Sequence, residues 1–114
     1  METFGVKTQW SNSQNCILTL GLYSNNEHIA IGVYSLDEGP FAKLTVNLDS
    51  TDKWPLHYGY VDTNNFPEAE ELIERLHIGR PVGVFGSSGF CWYPLYEFYE
   101  EVIKNYVFQE EEAK

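Results

Sequence analysis

Residues 16–35 read CILTLGLYSNNEHIAIGVYS, two runs of alternating apolar character on either side of a polar turn. In the first run Cys16, Leu18, Leu20 and Leu22 fall on one side. In the second, from His28 to Ser35, Ile29, Ile31 and Val33 alternate with Ala30, Gly32 and Tyr34. A period of two predicts strands, and Ser24, Asn25 and Asn26 supply turn chemistry between them. The segment therefore predicts an antiparallel hairpin. Working outward, Phe4, Val6, Thr8 and Trp10 share one face of a strand predicted over Thr3 to Trp10. A turn at Asp37, Glu38 and Gly39 leads into a strand predicted over Phe41 to Leu48. There Ala42, Leu44, Val46 and Leu48 point one way, and Lys43, Thr45 and Asn47 the other. The result is a meander with one wet face.

Residues 49–56, DSTDKWPL, read as a loop before a short strand over His57 to Val61. Asn65 then serves as N-cap with Glu68 three residues on, and Pro67 falls in the first turn of a helix. Ala69, Leu72, Ile73 and Leu76 have helical spacing, Glu70, Glu71 and Glu74 face outward, and Gly79 followed by Pro81 ends the element. RPVGVFGSSGFCWYP, residues 80–94, reads as a strand or two with a turn at Ser87 and Ser88. Leu95, Phe98, Tyr99, Val102, Ile103 and Tyr106 form a helical stripe, with Glu97, Glu100, Glu101 and Lys104 on the opposite face. The tail QEEEAK, residues 109–114, is an acidic end expected to fray. The expected fold is α+β in one domain over residues 1–108, with an antiparallel sheet of about five strands, one internal helix and one C-terminal helix.

Seventeen acidic residues against seven basic ones give a formal charge of −10. Such a chain repels nucleic acid and anionic membranes, and it attracts basic protein surfaces. Solubility alone is the plainer use of the same charge. No stretch approaches the roughly eighteen apolar residues of a membrane span, so the expected location is the cytoplasm. Cys16 and Cys91 lack a CxxC spacing and are expected to be reduced, packed thiols.

Little in the sequence points to catalysis. His28, His57, His77, Cys16 and Cys91 stand too far apart to announce a zinc site, so no metal and no cofactor is expected. Gly86-Ser87-Ser88-Gly89 is one residue short of a nucleophile elbow, and it lacks the lysine of a phosphate-binding loop. Carboxylate pairs such as Asp49 with Asp52, Glu70 with Glu74, and Glu97 with Glu101 read as solvated surface. Asp62, Asn64 and Asn65 crowd a strand-to-helix junction, where turn-making explains them. Phe90, Trp92, Tyr93, Tyr96, Phe98 and Tyr99 exceed what one small core can hold, so some must be exposed, and exposed tyrosine beside carboxylate makes a protein-binding anchor.

LTVNL at 44–48, YVDTNN at 60–65 and SGFCWYPLYEF at 88–98 resemble a family of short bacterial proteins classed only as a domain of unknown function. The resemblance spans residues 16 to 98, implies a shared fold and carries no catalytic residues. It implies an origin on plasmids, conjugative elements or phages of Gram-positive bacteria. In size, charge and implied origin the chain looks like an anti-CRISPR protein, one that presents carboxylates to the basic channel of a Cas9-type RNA-guided nuclease. The expected function is thus a non-enzymatic, protein-binding inhibitor. Its expected contact residues are Asp49, Asp52, Glu70, Glu71, Glu74, Glu97, Glu100 and Glu101, with Tyr96 as an anchor. Two other readings stay open. One is an accessory of conjugation or plasmid maintenance that acts by protein contact. The other is a small-molecule or metal-binding domain with a pocket around the Asp62–Asn65 corner and Cys91.

Overall fold

The computed structural model describes residues 1–108. The tail 109–114, expected to fray, lies outside the described residues. Two antiparallel sheets of four strands each stand where one sheet of about five was expected. The first holds β1 (Phe4–Lys7), β2 (Asn12–Leu22), β3 (Ile29–Ser35) and β4 (Gly39–Lys43), side by side in chain order. The hairpin over 16–35 forms in the register its alternation requires, with Cys16 opposite Ser35, Leu18 opposite Val33 and Leu22 opposite Ile29. The second sheet holds β5 (Thr45–Val46), β6 (Tyr58–Val61), β7 (Gly79–Ser88) and β8 (Cys91–Phe98), in the order β5-β6-β8-β7.

The strand expected over Phe41 to Leu48 is where the single sheet fails. Its alternation is continuous, yet the chain leaves the first sheet after Lys43 and enters the second at Thr45. Leu44, fully buried, makes the crossing. Its N–H donates to the Ile31 carbonyl (2.9 Å), and its own carbonyl accepts from the Asp62 N–H (2.9 Å). The Thr45 hydroxyl then accepts the Ile31 N–H (3.0 Å) and meets the Tyr23 hydroxyl (2.9 Å). One buried threonine thereby completes the hydrogen bonding of the strand that β4 has ceased to cover.

The helix expected from Leu95 to Tyr106 also gives way. Residues 91–98 belong to β8, and only Glu100–Ile103 is α-helical (α2), followed by a 3-10 turn over Lys104–Tyr106. A strand buried on both faces is a continuous apolar run, which periodicity alone does not separate from a helix. Here the partner decides it: a turn at Gly89 (φ 61°) and Phe90 folds β8 back on β7, pairing Ser88 with Cys91 and Gly79 with Phe98.

The internal helix α1 (Ala69–Leu76) buries the expected Ala69, Leu72, Ile73 and Leu76, but both its ends differ from expectation. Asn65 is not the cap, because Asp62 captures it: the Asp62 carboxylate accepts the Asn65 backbone N–H (3.2 Å) and side-chain amide (3.1 Å). With the Phe66 N–H donating to the Asp62 carbonyl (2.9 Å), this closes a separate turn ahead of the helix, which begins at Ala69. At the other end His77, at φ 56°, adopts the left-handed cap conformation. Gly79 instead opens β7, where a Cβ would lie 2.7 Å from the Glu97 carbonyl.

The main core gathers the inner face of the first sheet, α1, and Val61, Tyr96 and Phe98 of the second. A smaller cluster of Leu48, Tyr60, Tyr93 and Leu95 fills the other face of the second sheet. A 3-10 turn over Asp49–Lys53 and the following Trp54 cover it, within the segment expected to be a plain loop. The Trp54 indole N–H (2.9 Å) and the Ser50 hydroxyl (3.0 Å) both donate to the Tyr60 hydroxyl. At the sheet edge β7 is bulged between Pro81 and Phe85, with Gly83 at φ 91°.

Thr45→Val keeps the side-chain shape but leaves the buried Ile31 N–H without an acceptor, which should cost about 1–3 kcal/mol. Urea unfolding should show the loss in Thr45→Val and little change in Thr45→Ser. Equal stability of the valine variant would remove the hydroxyl from its joining role.

Candidate functional site

Helix α1 and strand β8 bring three of the expected contact residues together. Glu70, Glu74 and Tyr96 line one cavity of about 350 Å³ with His77, Arg80 and Tyr99. The helical spacing of Glu70 and Glu74 places both on the face that borders β8. Tyr96 is buried, and its hydroxyl donates to Glu70 Oε1 at 2.6 Å. Burial pushes this phenol well above its ordinary range, and the hydrogen bond to Glu70 and the charge of Glu74 push it further. Tyr96 therefore stays a neutral donor that fixes one oxygen of Glu70.

The guanidinium that borders this cavity is engaged elsewhere. Arg80 Nε donates to Glu97 Oε1 at 2.7 Å, and His57 Nε2 lies 3.1 Å from Glu97 Oε2. These two hydrogen bonds, His57 first, hold the Glu97 carboxyl below its ordinary value of 4.5. Among the described residues the ion pairs fall on Glu71, Glu97 and Glu101, and none falls on Glu70 or Glu74.

The other expected contacts are dispersed. Glu71 pairs along the helix with Arg75 (2.9 Å), which also donates to the Gly5 carbonyl (3.0 Å). Glu97 is a strand residue and not, as expected, on the outer face of a helix. Glu100 and Glu101 are exposed on the short α2, and Glu101 lies 3.9 Å from Lys104. Asp49 and Asp52 sit on the 3-10 turn over the second sheet, where Asp52 accepts from the Asn26 side chain (2.8 Å). A single continuous acidic face is thus not formed.

Asp49 instead borders a second cleft, of about 590 Å³, with Lys53, Trp54, Tyr60, Phe85 and Trp92. Phe85, Phe90 and Trp92 are exposed at this end of the β7–β8 hairpin. Gly86 is required beneath them, since a Cβ there would come within 2.7 Å of the Tyr60 ring. The sequence announced surplus aromatics and a turn near Ser87 and Ser88, but not their grouping, which depends on the register of β7 against β8. A third concavity, of about 710 Å³, lies at the Asp62–Asn65 corner with Tyr23, Lys43 and Thr45. Cys91 does not reach it and packs instead beside the smaller core cluster.

His28 and the two cysteines pack within the fold. His28 is buried with Nε2 2.7 Å from the Trp54 carbonyl, tying the first hairpin to the 49–56 segment. Cys16 and Cys91 are both free thiols, and burial raises the Cys16 thiol above its ordinary range. Among the described residues no three of His, Cys, Asp and Glu group as a metal site would require. Nor is any described helix long and apolar enough to cross a membrane.

The fold defines a small, mainly antiparallel β protein with two short helices. The chain belongs to the family described as Domain of unknown function (DUF4313), whose model matches residues 17–113. No curated protein and no solved structure matches the chain.

Because the folded-state pKa of Glu97 is depressed, its contribution to stability should be fully present above pH 4.5 and be lost as pH falls through the lower folded value. Unfolding of the wild type and Glu97→Gln from pH 7 to 2 should show a stability gap that narrows below 4.5. A gap independent of pH would rule out the His57–Glu97–Arg80 linkage.

Proposed function

We propose that this protein acts without catalysis, by binding a basic surface of another protein, and that the partner is a Cas9-type RNA-guided nuclease. The observation that carries this reading is the pairing of two uncompensated carboxylates, Glu70 and Glu74, with the Tyr96 donor at the lip of one cavity. A nuclease channel is lined with lysine and arginine that hold phosphate, and a carboxylate held as Glu70 is by Tyr96, with Glu74 one turn away, competes for those cations at reduced ordering cost. The formal charge of −10 would speed the encounter. On this reading the protein is an anti-CRISPR inhibitor from a mobile element of Gram-positive bacteria, working in the cytoplasm. The acidic pocket, rather than all the expected carboxylates at once, is its main contact.

The 710 Å³ concavity at the Asp62 corner favours a second reading, small-molecule binding. The two readings separate on one assay. Target-DNA cleavage by Gram-positive Cas9 orthologues, with the protein added before guide loading, after it, or after DNA binding, should show inhibition whose dependence on order names the blocked step. The double variant Glu70→Lys, Glu74→Lys should fold normally and inhibit at least about tenfold less well. Absence of inhibition at large excess across several orthologues would overturn the nuclease reading. Undiminished inhibition by the double variant would overturn the role of the pocket.

A further inference from the structure

The turn between β1 and β2 carries a feature that neither the fold nor the acidic pocket uses. Trp10 is 87% exposed, yet the backbone that presents it is tightly held. The Thr8 N–H donates to the Ser11 carbonyl (2.7 Å), and the Thr8 hydroxyl oxygen accepts the N–H of both Trp10 (3.1 Å) and Ser11 (3.0 Å). A large indole on a fixed turn, left in water, is an anchor without a core to fill.

Trp10 borders a cavity of about 310 Å³ between this turn, β4 and the segment leading into α1, lined also by Ser11, Phe41, Asn64 and Glu68. Glu68 Oε1 is buried there and has no hydrogen-bond partner among the described residues. No lysine, arginine or histidine lines the cavity. A carboxylate oxygen cut off from water and unpaired is costly unless something arrives to pair with it. The cavity therefore combines a carboxylate with an unpaired oxygen and an exposed indole at its rim, whose face attracts cations.

We infer that this cavity receives the guanidinium of an arginine side chain presented by a partner protein. Arginine fits better than lysine on three counts. Its planar group stacks on an indole face, its N–H fork suits a carboxylate, and it is the more weakly hydrated cation to bring into a partly buried site. The rim polar groups of Ser11 and Asn64 can take its remaining N–H donors. The cavity shares no residue with the acidic pocket, and the inference holds whether or not the partner is a nuclease.

The test titrates the full chain with the peptide acetyl-Gly-Arg-Gly-amide and follows the Trp10 indole N–H and Glu68 carboxyl signals by NMR, with Trp54 as internal control. Saturable shifts at Trp10 and Glu68, and none at Trp54, are expected. The citrulline peptide, which keeps the shape and loses the charge, should bind at least about tenfold more weakly. Glu68→Gln and Trp10→Ala should each weaken the arginine peptide by a similar factor. Equal binding of the citrulline peptide, no saturable shift, or unchanged binding by Glu68→Gln would each overturn the inference. The citrulline comparison needs no variant, so a folding defect in either mutant leaves the test intact. Free L-arginine binding tighter than the peptide would overturn the assignment to a protein partner.

Discussion

The fold turns on the crossing at Leu44. Everything before it in the chain that is strand belongs to one sheet, and everything after it belongs to the other. The crossing is short and wholly buried, so each of its polar groups must be met within the protein. Ile31 answers for both sides: its carbonyl takes the Leu44 amide, and its amide goes to the Thr45 hydroxyl. Because Asp62 N–H closes on the Leu44 carbonyl, the same crossing fixes the end of β6 and the corner that starts α1. The helix then positions Glu70 and Glu74 against β8. The acidic pocket is thus a downstream product of a single buried switch between sheets.

Much of this was written in local patterns. The 16–35 hairpin, the short strand near Tyr58–Val61 and the buried stripe of α1 follow from spacing that one element alone satisfies. What was hidden depended on tertiary choice. Alternation through 41–48 does not say that a strand changes sheets: Ala42 and Leu44 pack on the main core, Val46 and Leu48 in the smaller cluster, and Thr45, expected on the wet face, is buried between them. The 95–106 stripe suits a helix as well as a doubly buried strand, and only pairing with β7 excludes the helix. With that misreading went the site: Glu97 seemed an outward helix carboxylate, whereas β8 puts it between His57 and Arg80. Tyr96 was legible as an anchor type, but its bond to Glu70 required the register of strand against helix.

The charge of this chain is organised unevenly. Glu71 and Glu97 are held by arginines, Asp62 by Asn65 and Asp52 by Asn26, so these carboxylates serve structure. Glu70 and Glu74 have no such ion pair among the described residues, and Glu68 keeps one buried oxygen without a partner. Strong negative charge by itself gives solubility and long-range attraction. Two separate cavities place these three carboxylates beside aromatic side chains.

The bulge in β7 bears on how such a protein lives in a crowded cell. An exposed ten-residue edge strand is an invitation to pair with another chain and begin a fibre. Pro81 offers no N–H, and the kink at Gly83 breaks the row of backbone groups before a visitor could zip along it. The interrupted edge lets the hairpin keep exposed aromatic rings at its tip without exposing a continuous template for aggregation beside them.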